Sequence, residues 1–490
     1  MRYTIGCDFG GGASKATLLR EDGVIAATAT CEYPTSYPKP GWAEQDPDDS
    51  LRAFVQNVRE LLSHVDPSDV VCVALDGATH TAVLLDEHDR VIRPAIYWTD
   101  RRSVREAEEL KSRTDLDLRK RTYNAPSALW TLPQLMWLKS HEPENFTKIR
   151  RVLSMKDYVR YRLTGDYVTD EIEAMGFLLL DARTNTWDAE LCALCGLSPA
   201  MMPKIVPPTE VLSQISSEMC TLTGLSPDTK VIAGSTDTVM EVYASGAIAV
   251  GQATVKLATA GRICPITDRA YVDPLLVTYR HVVPGLWYPG TATKSCAASY
   301  RWFRDTFGQS FDYPALDELA AQVPAGCEGM FFHPYLQGEI TPYLDDSLRA
   351  SFTGVTSRHG YAHFTRAVLE GVGYSMKSSL SVLRGLGMDI RQASVIGGGA
   401  KSALWRQILA DMLGIPLQKN VCDDSSFGSA MLAGVASGVF HSFSESVNVC
   451  VRPAFTVEPD AANVKLYEDR FPDYLRIHDA LAPIYNSYVY

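Results

Sequence analysis

Two short segments place an acid where chemistry is expected. The first is Tyr3-Thr4-Ile5-Gly6-Cys7-Asp8-Phe9-Gly10-Gly11-Gly12, the second Val231-Ile232-Ala233-Gly234-Ser235-Thr236-Asp237. Each is an apolar run that ends in a carboxylate among small residues. An acid at the end of a buried strand, beside glycines that admit close backbone approach, can hold a phosphate and its metal. Two such ends suggest a duplicated half, with a cleft between the copies. A third segment, Val395-Ile396-Gly397-Gly398-Gly399-Ala400, adds a glycine turn between an apolar run and a helical pattern. Such a turn offers backbone N–H groups and a helix N-terminus to a phosphate or to the sugar edge of a nucleotide. It lacks the Gly-Lys-Ser/Thr of a Walker loop and does not fit GxGxxG.

Other residues have two readings each. Lys15, in the hairpin that follows Asp8, could reach a phosphate or lie as a solvated strand lysine. His80, beside Thr79, could be a sugar ligand or a core histidine. Trp98-Thr99-Asp100-Arg101 joins an aromatic plate to charged hydrogen-bonding groups, a means of gripping a polyol, or forms a surface ion pair. Cys192 and Cys195 have CxxC spacing, but no second pair or nearby histidines complete a zinc site, and Leu194 and Leu197 fit a helical face.

These residues need elements to position them. Lys15 to Leu19 and Val24 to Ala29 flank Glu21-Asp22-Gly23, a hairpin signal. Leu51, Phe54, Val55, Val58, Leu61, Leu62 and Val65 recur at helical spacing, and Asp66-Pro67 ends that helix. Val70 to Leu75 reads as a buried strand closed by Asp76-Gly77. Val231 to Ala233 opens a looser repeat of the theme. In it Leu369 to Leu383 stripe a helix, Ala393 to Ile396 form a strand, and Trp405 to Met412 form a further helix. The pattern is α/β.

A chain of 490 residues is too long for one core, so two domains are expected, 1–246 and 247–490. The formal net charge of −12 argues against a nucleic-acid partner. The eleven cysteines are scattered and fit a reduced, cytoplasmic protein. Asp8 interrupts the first apolar run too early for a secretory leader, and no apolar stretch approaches the roughly 20 residues of a membrane span.

Taken together, the motifs resemble those of the FGGY family of carbohydrate kinases, with most likeness to its xylulokinases. Gly6-Cys7-Asp8-Phe9-Gly10 with Lys15 resembles the family's first phosphate motif. Gly41-Trp42-Ala43-Glu44-Gln45-Asp46-Pro47 is similar to its Trp-x-Glu-Gln-Asp-Pro signature, and Trp98-Thr99-Asp100-Arg101 to its Trp-Asn-Asp-x-Arg segment. Lys156-Asp157-Tyr158 with Leu163-Thr164-Gly165, Gly338-Glu339-Ile340-Thr341-Pro342, and Gly397 to Ser402 with Trp405, Gln407, Ala410 and Asp411 match further family motifs in order.

The resemblance implies two ribonuclease-H-like domains of the actin and hexokinase type with an interdomain cleft, and ATP and Mg²⁺ as co-substrate and metal. It implies Asp237 as catalytic base and Asp8 as the acid that positions Mg²⁺. Thr79, His80, Trp98, Asp100 and Asp237 would bind the sugar. Gly10, Gly11, Lys15, Thr259, Gly398, Gly399 and Ala400 would serve the nucleotide and its phosphates. The expected reaction phosphorylates a terminal hydroxyl of a ketopentose such as xylulose. L-Xylulose, ribulose, a tetrulose or an aldonate are alternative acceptors, and a catalytically weak sugar or nucleotide sensor is a different class of reading. A homodimer is open. Several positions depart from the family: Gly11 stands for Thr or Ser, Ala258 and Ala260 for Gly and Ser, Ile340 for Arg, and Thr79 for Met.

Overall fold

A computed structural model describes residues 1–308 and 310–487. The chain forms two compact α/β units. The first comprises Met1–Ile248, Tyr279–Leu286 and Cys422–Arg452, the second Ala249–Thr278, Trp287–Val421 and Pro453–Tyr490, within the described residues.

In the first unit, strand Tyr3–Phe9 pairs antiparallel with Ala13–Arg20 through a turn of three glycines, and Ala13–Arg20 pairs antiparallel with Ile25–Glu32. On its other edge Tyr3–Phe9 runs parallel to Val70–Gly77. The short strands Lys230–Val231 and Ser235–Thr236 run parallel along the far edge of Val70–Gly77. The second acidic segment therefore closes the first sheet and does not open the second half, as the sequence repeat suggested. A short apolar run ending in an acid carries no information about which sheet it joins.

The apolar run Val70–Leu75 is buried because both faces are covered. The helix Pro47–Leu62, capped by the Asp46 side chain on the Asp48 amide with Pro47 in its first turn, supplies Phe54 and Val58 to one face. Helix Ser425–Ser437 lies against the strands that carry Gly6 and Asp76. A Cβ on Gly6 would stand 2.0 Å from the Ser426 carbonyl oxygen, so only glycine admits this helix. Thr4 Oγ1 donates to the Ala430 carbonyl at 2.8 Å on the same contact. That docking is why 422–452 belongs to the first unit, a placement with no local sequence signal.

The second unit repeats the hairpin-and-parallel-strand theme. Gly251–Leu257 pairs antiparallel with Gly261–Pro265 and parallel with Ile390–Ile396. Leu417–Asn420 continues the parallel set, and Pro453–Val457 closes it antiparallel. Helix Tyr361–Gly385 presents Leu369, Val372 and Met376 to Val255, Leu257, Val395 and Trp405 in the core. Burial of each such side chain is worth about 1.5–3 kcal/mol.

Candidate active site

In the first unit the candidate residues gather at the carboxyl ends of neighbouring parallel strands, where open α/β sheets place their ligands. The sheet register sets Asp8 directly beside Asp76, and Ser235 beside Asp76 on the other edge, so Asp237 follows one residue beyond the paired segment. Gly234 makes this approach possible: it has φ +71°, and a Cβ there would lie 1.9 Å from the Leu75 carbonyl oxygen. Asp237 opens helix Asp237–Ala244 and is partly exposed. Its Oδ1 accepts from the Thr238 amide at 2.5 Å and the Thr238 hydroxyl at 3.1 Å. A carboxylate in a first helical turn is favoured by the helix dipole.

Asp8 is partly buried, and its Oδ1 is shielded from solvent without a protein hydrogen-bond partner among the described residues. Burial, reinforced by the charge of Asp237, pushes its carboxyl up to about 8. Asp76 is fully buried. Burial and then the neighbouring Asp8 hold it well above the usual carboxylate range, while Ser429 Oγ, donating to Oδ2, opposes that rise. In the sequence Asp76 reads only as the end of a strand; in the structure it is a third acid in the group.

The glycine turn after Asp8 is held by its carbonyls. Gly10 O accepts from Tyr33 Oη at 2.7 Å, Gly11 O from Thr35 Oγ1 and from Gln45 Nε2 at 3.2 Å, and Gly12 O from the Tyr33 amide at 3.1 Å. Peptide units are planar and trans, so the N–H groups of Gly11 and Gly12 point away from these clamps. Gln45 of the Trp-x-Glu-Gln-Asp-Pro segment thus serves the turn, and Asp46 serves the helix. Lys15, expected at a phosphate, is half-exposed and pairs with Asp424 at 3.1 Å, whose charge raises its pKa.

Thr79 and His80 follow the same sheet edge and stand together. Thr79 Oγ1 donates to Glu173 Oε1 at 2.8 Å. Glu173 is fully buried, burial holds it well above the usual carboxylate range, and its Oε2 lacks a hydrogen-bond partner among the described residues. His80 adopts φ +65°, a strained conformation for a non-glycine residue and a mark of functional positions. Its Nδ1 lies 2.8 Å from the Gly176 carbonyl, which can only accept, so Nδ1 carries the proton and Nε2 accepts from Tyr279 Oη at 3.2 Å. Trp130 meets the imidazole edge-on at 4.4 Å and stacks on Tyr279 at 6.2 Å. Trp130, Glu173, Gly176 and Tyr279 carry no motif in the sequence. Tyr279 reaches this wall because Tyr279–Leu286 is part of the first unit.

Trp98 is exposed, whereas the side chain of Asp100 is engaged within the protein. Asp100 is 1 % exposed; it accepts from the Ala43 amide at 2.6 Å and, in a fork, from Arg102 Nε at 2.9 Å and Nη2 at 2.8 Å. The Arg102 guanidinium lies 3.6 Å above the Trp42 ring and also meets Glu44 at 2.8 Å. The two signature segments therefore bind each other, and Asp100 joins them instead of reaching toward a sugar.

The second unit carries Thr259, Gly398, Gly399 and Ala400. The carbonyls of Ala258 and Thr259 accept from the Ala297 amide at 2.8 Å and the Cys296 amide at 3.0 Å, a clamp like that of the first glycine turn. The Thr259 hydroxyl is exposed and accepts from Arg301 at 3.3 Å. After Gly397, at φ +88°, a short helical turn spans Gly398–Lys401, and helix Ala403–Leu413 starts only beyond it, capped by Ser402 on the Trp405 amide. The glycines therefore do not sit on that helix's N-terminus, as the sequence suggested. Gly398 is exposed, and beyond its chain neighbours no atom of the described residues lies within 4 Å of an added Cβ. A Cβ on Gly399 would meet Trp405 at 2.8 Å and Leu257 at 2.9 Å, and Ala400 is fully buried. Among the described residues no helix is long and apolar enough to cross a membrane.

Comparisons with known proteins extend over the whole chain. The pattern defining the N-terminal domain of the FGGY family of carbohydrate kinases matches residues 3–243, and that of its C-terminal domain residues 242–437. The xylulose kinase of Bacillus subtilis (strain 168) is 32 % identical over 483 residues, covering 98 % of this chain and 97 % of its own. A ligand-bound xylulose kinase from Lactobacillus acidophilus superimposes with a TM-score of 0.94 at 27 % identity, over 100 % of both chains. A gluconate kinase from the same organism superimposes with a TM-score of 0.93, also at 27 % identity and over 100 % of both chains. The expected fold, two α/β domains of the actin and hexokinase type, is the fold these kinases share.

Proposed function

The chain belongs to the FGGY family of carbohydrate kinases, and on that premise we propose that it transfers the terminal phosphoryl group of ATP to the terminal hydroxyl of a ketopentose, D-xylulose first. Kinship makes it a sugar kinase; the choice of sugar is the further step. The observation that carries the mechanism is the convergence of Asp8 and Asp237 on either side of one strand end, beside a glycine turn whose carbonyls are tied back.

Phosphoryl transfer needs an aligned hydroxyl, a proton acceptor and neutralised phosphate oxygens, and little covalent chemistry. Asp237, fixed through Oδ1 by Thr238, is the base that receives the hydroxyl proton. The Gly11 and Gly12 amides donate to phosphate oxygens. The residues fit a Mg²⁺ ion, since Asp8 offers a shielded oxygen that lacks a protein partner among the described residues. Such an ion would supply charge neutralisation on the phosphate oxygens. Gly398, open on its outer side, suits the adenosine side of the nucleotide.

The sugar assignment is supported by the full-length likeness to xylulose kinases and by the lining of the Thr79–His80 pair. The Glu173 carboxyl, the Gly176 carbonyl and the rings of Trp130 and Tyr279 are neutral or acidic groups. That lining suits a neutral polyhydroxyl compound better than an aldonate anion. The test is coupled ADP release over D-xylulose, L-xylulose, D-ribulose, erythrulose, glycerol and gluconate. The highest kcat/KM belongs to D-xylulose; a tenfold preference for gluconate would overturn the sugar assignment while leaving the kinase intact.

A further inference from the structure

The hairpin turn after Asp8 has a neighbour that the mechanism above does not use. A Cβ on Gly11 would stand 2.8 Å from Tyr97 Oη and 3.3 Å from Tyr97 Cζ. The φ of Gly11 lies outside the left-handed region, so its backbone would accept any residue. The atom that a side chain at position 11 would meet first is the phenol oxygen, so the phenol would have to shift to admit one.

Tyr97 is held firmly. It is 7 % exposed and packs with Ala43 and Ala78, and its amide donates to the Ala43 carbonyl at 2.9 Å. The Trp98 ring stands beside it, tilted, with centroids 5.9 Å apart. Burial, and then the charges of Asp237 and Asp8, keep the phenol protonated. A neutral hydroxyl thus stands against the Gly10–Gly12 turn, whose carbonyls are tied back.

We propose that the Tyr97 hydroxyl is a ligand of the transferred phosphoryl group, supplying from a neighbouring loop the side-chain hydroxyl that Gly11 lacks. The proposal rests on reading this turn as the phosphoryl site. It makes residues 11 and 97 a coupled pair: one can carry the hydroxyl only if the other yields the space.

The test compares the parent with Tyr97→Phe, Gly11→Ser and the double variant Gly11→Ser/Tyr97→Leu. Two readouts are taken: kcat on the preferred sugar, and the ratio of affinities for an imidotriphosphate analogue of ATP and for ADP. Tyr97→Phe keeps the packing, so a structural role would move neither. Loss of a hydrogen bond to a charged group predicts a fall of about tenfold or more in kcat and a shift of similar size in the ratio toward ADP. Gly11→Ser alone collides with the phenol and is worse than the double variant, which recovers part of the loss. A ratio within twofold of the parent in folded Tyr97→Phe overturns the proposal, whatever kcat does. Absence of transfer from the parent to any sugar overturns the proposed function instead, and the affinity ratio still decides the role of Tyr97.

Discussion

Asp100 accepts a 2.6 Å hydrogen bond from the backbone amide of Ala43, a residue 57 positions earlier in the chain. With Arg102 forked onto the same carboxylate and laid over Trp42, this bond fastens the loop that ends in Gln45. Gln45 in turn holds the Gly10 and Gly11 carbonyls. The order of the Gly10–Gly12 turn is thereby tied to an acid that is itself buried.

Asp100→Ala should therefore act on stability first. Removing one partner of a buried pair typically costs roughly 3–5 kcal/mol, and the remaining contact of Arg102 with Glu44 places the cost near the lower end. Urea denaturation should show that loss, with the sugar KM of the folded fraction changed less than threefold. A tenfold rise in sugar KM at unchanged stability would return Asp100 to the ligand set.

The same residues show what a sequence can carry. Helix Pro47–Leu62 and strand Val70–Gly77 are legible because their apolar periods are local, although the helix, read from its spacing over 50–65 and ended at Asp66-Pro67, starts and stops three residues earlier, at the Asp46 cap and at Leu62. The acids at 8 and 237 are legible because strand ends and small residues mark them. Asp76, Glu173 and Tyr279 are not, since each acquires its role from a partner distant in sequence: Ser429, Thr79 and His80. Asp100 shows the converse. Its residue type and aromatic neighbour suit a sugar, and only the fold reveals that its oxygens are already engaged. Likewise the run ending in Asp237 looks like a new beginning until pairing assigns it to the sheet of Asp8.

Adjacent glycines in the second unit should behave differently. A Cβ at Gly398 meets no atom of the described residues within 4 Å beyond its chain neighbours, so Gly398→Val should fold as the parent does and raise the nucleotide KM strongly with sugar binding near normal. Gly399→Ala presses on Trp405 and Leu257, and overpacking of this kind costs about 1–3 kcal/mol. Thermal unfolding with nucleotide titration separates them. An unchanged nucleotide KM in Gly398→Val would remove the glycine turn from the nucleotide site.

Glu339 gives the second unit a pH response. It is fully buried; Oε1 accepts from the Lys294 and Ile340 amides, both at 2.8 Å, and Oε2 from Ser375 at 3.2 Å. Burial pushes its carboxyl up from 4.5 to about 7, against the opposing pull of those hydrogen bonds. The native state then keeps a proton that the unfolded chain has released, so this group's contribution to stability falls as pH rises from about 4.5 to about 7. Glu339→Gln preserves the shape and removes the titration. Relative to the parent, the variant should gain on the order of 3 kcal/mol between pH 4.5 and pH 8. Denaturation curves at pH 4.5, 6 and 8 that stay parallel for the two proteins would show that Glu339 ionises normally.

Asp237 is the residue on which the proposed transfer depends. It stands at the first turn of its helix with Oδ1 fixed by Thr238, at a strand end shared with Asp8. Asp237→Asn keeps the volume and hydrogen-bonding reach but removes the proton acceptor, so kcat should fall far more than either KM changes. General-base catalysis is typically worth ~10²–10⁴-fold, and a loss of that size or larger is expected. Stability should stay close to the parent's or rise slightly, because the substitution also removes the negative charge that helps push up the Asp8 carboxyl. Steady-state kinetics at saturating ATP, with thermal unfolding as the control for folding, checks both parts. Turnover within about threefold of the parent in folded Asp237→Asn would place the base elsewhere and leave this carboxylate as a binding group.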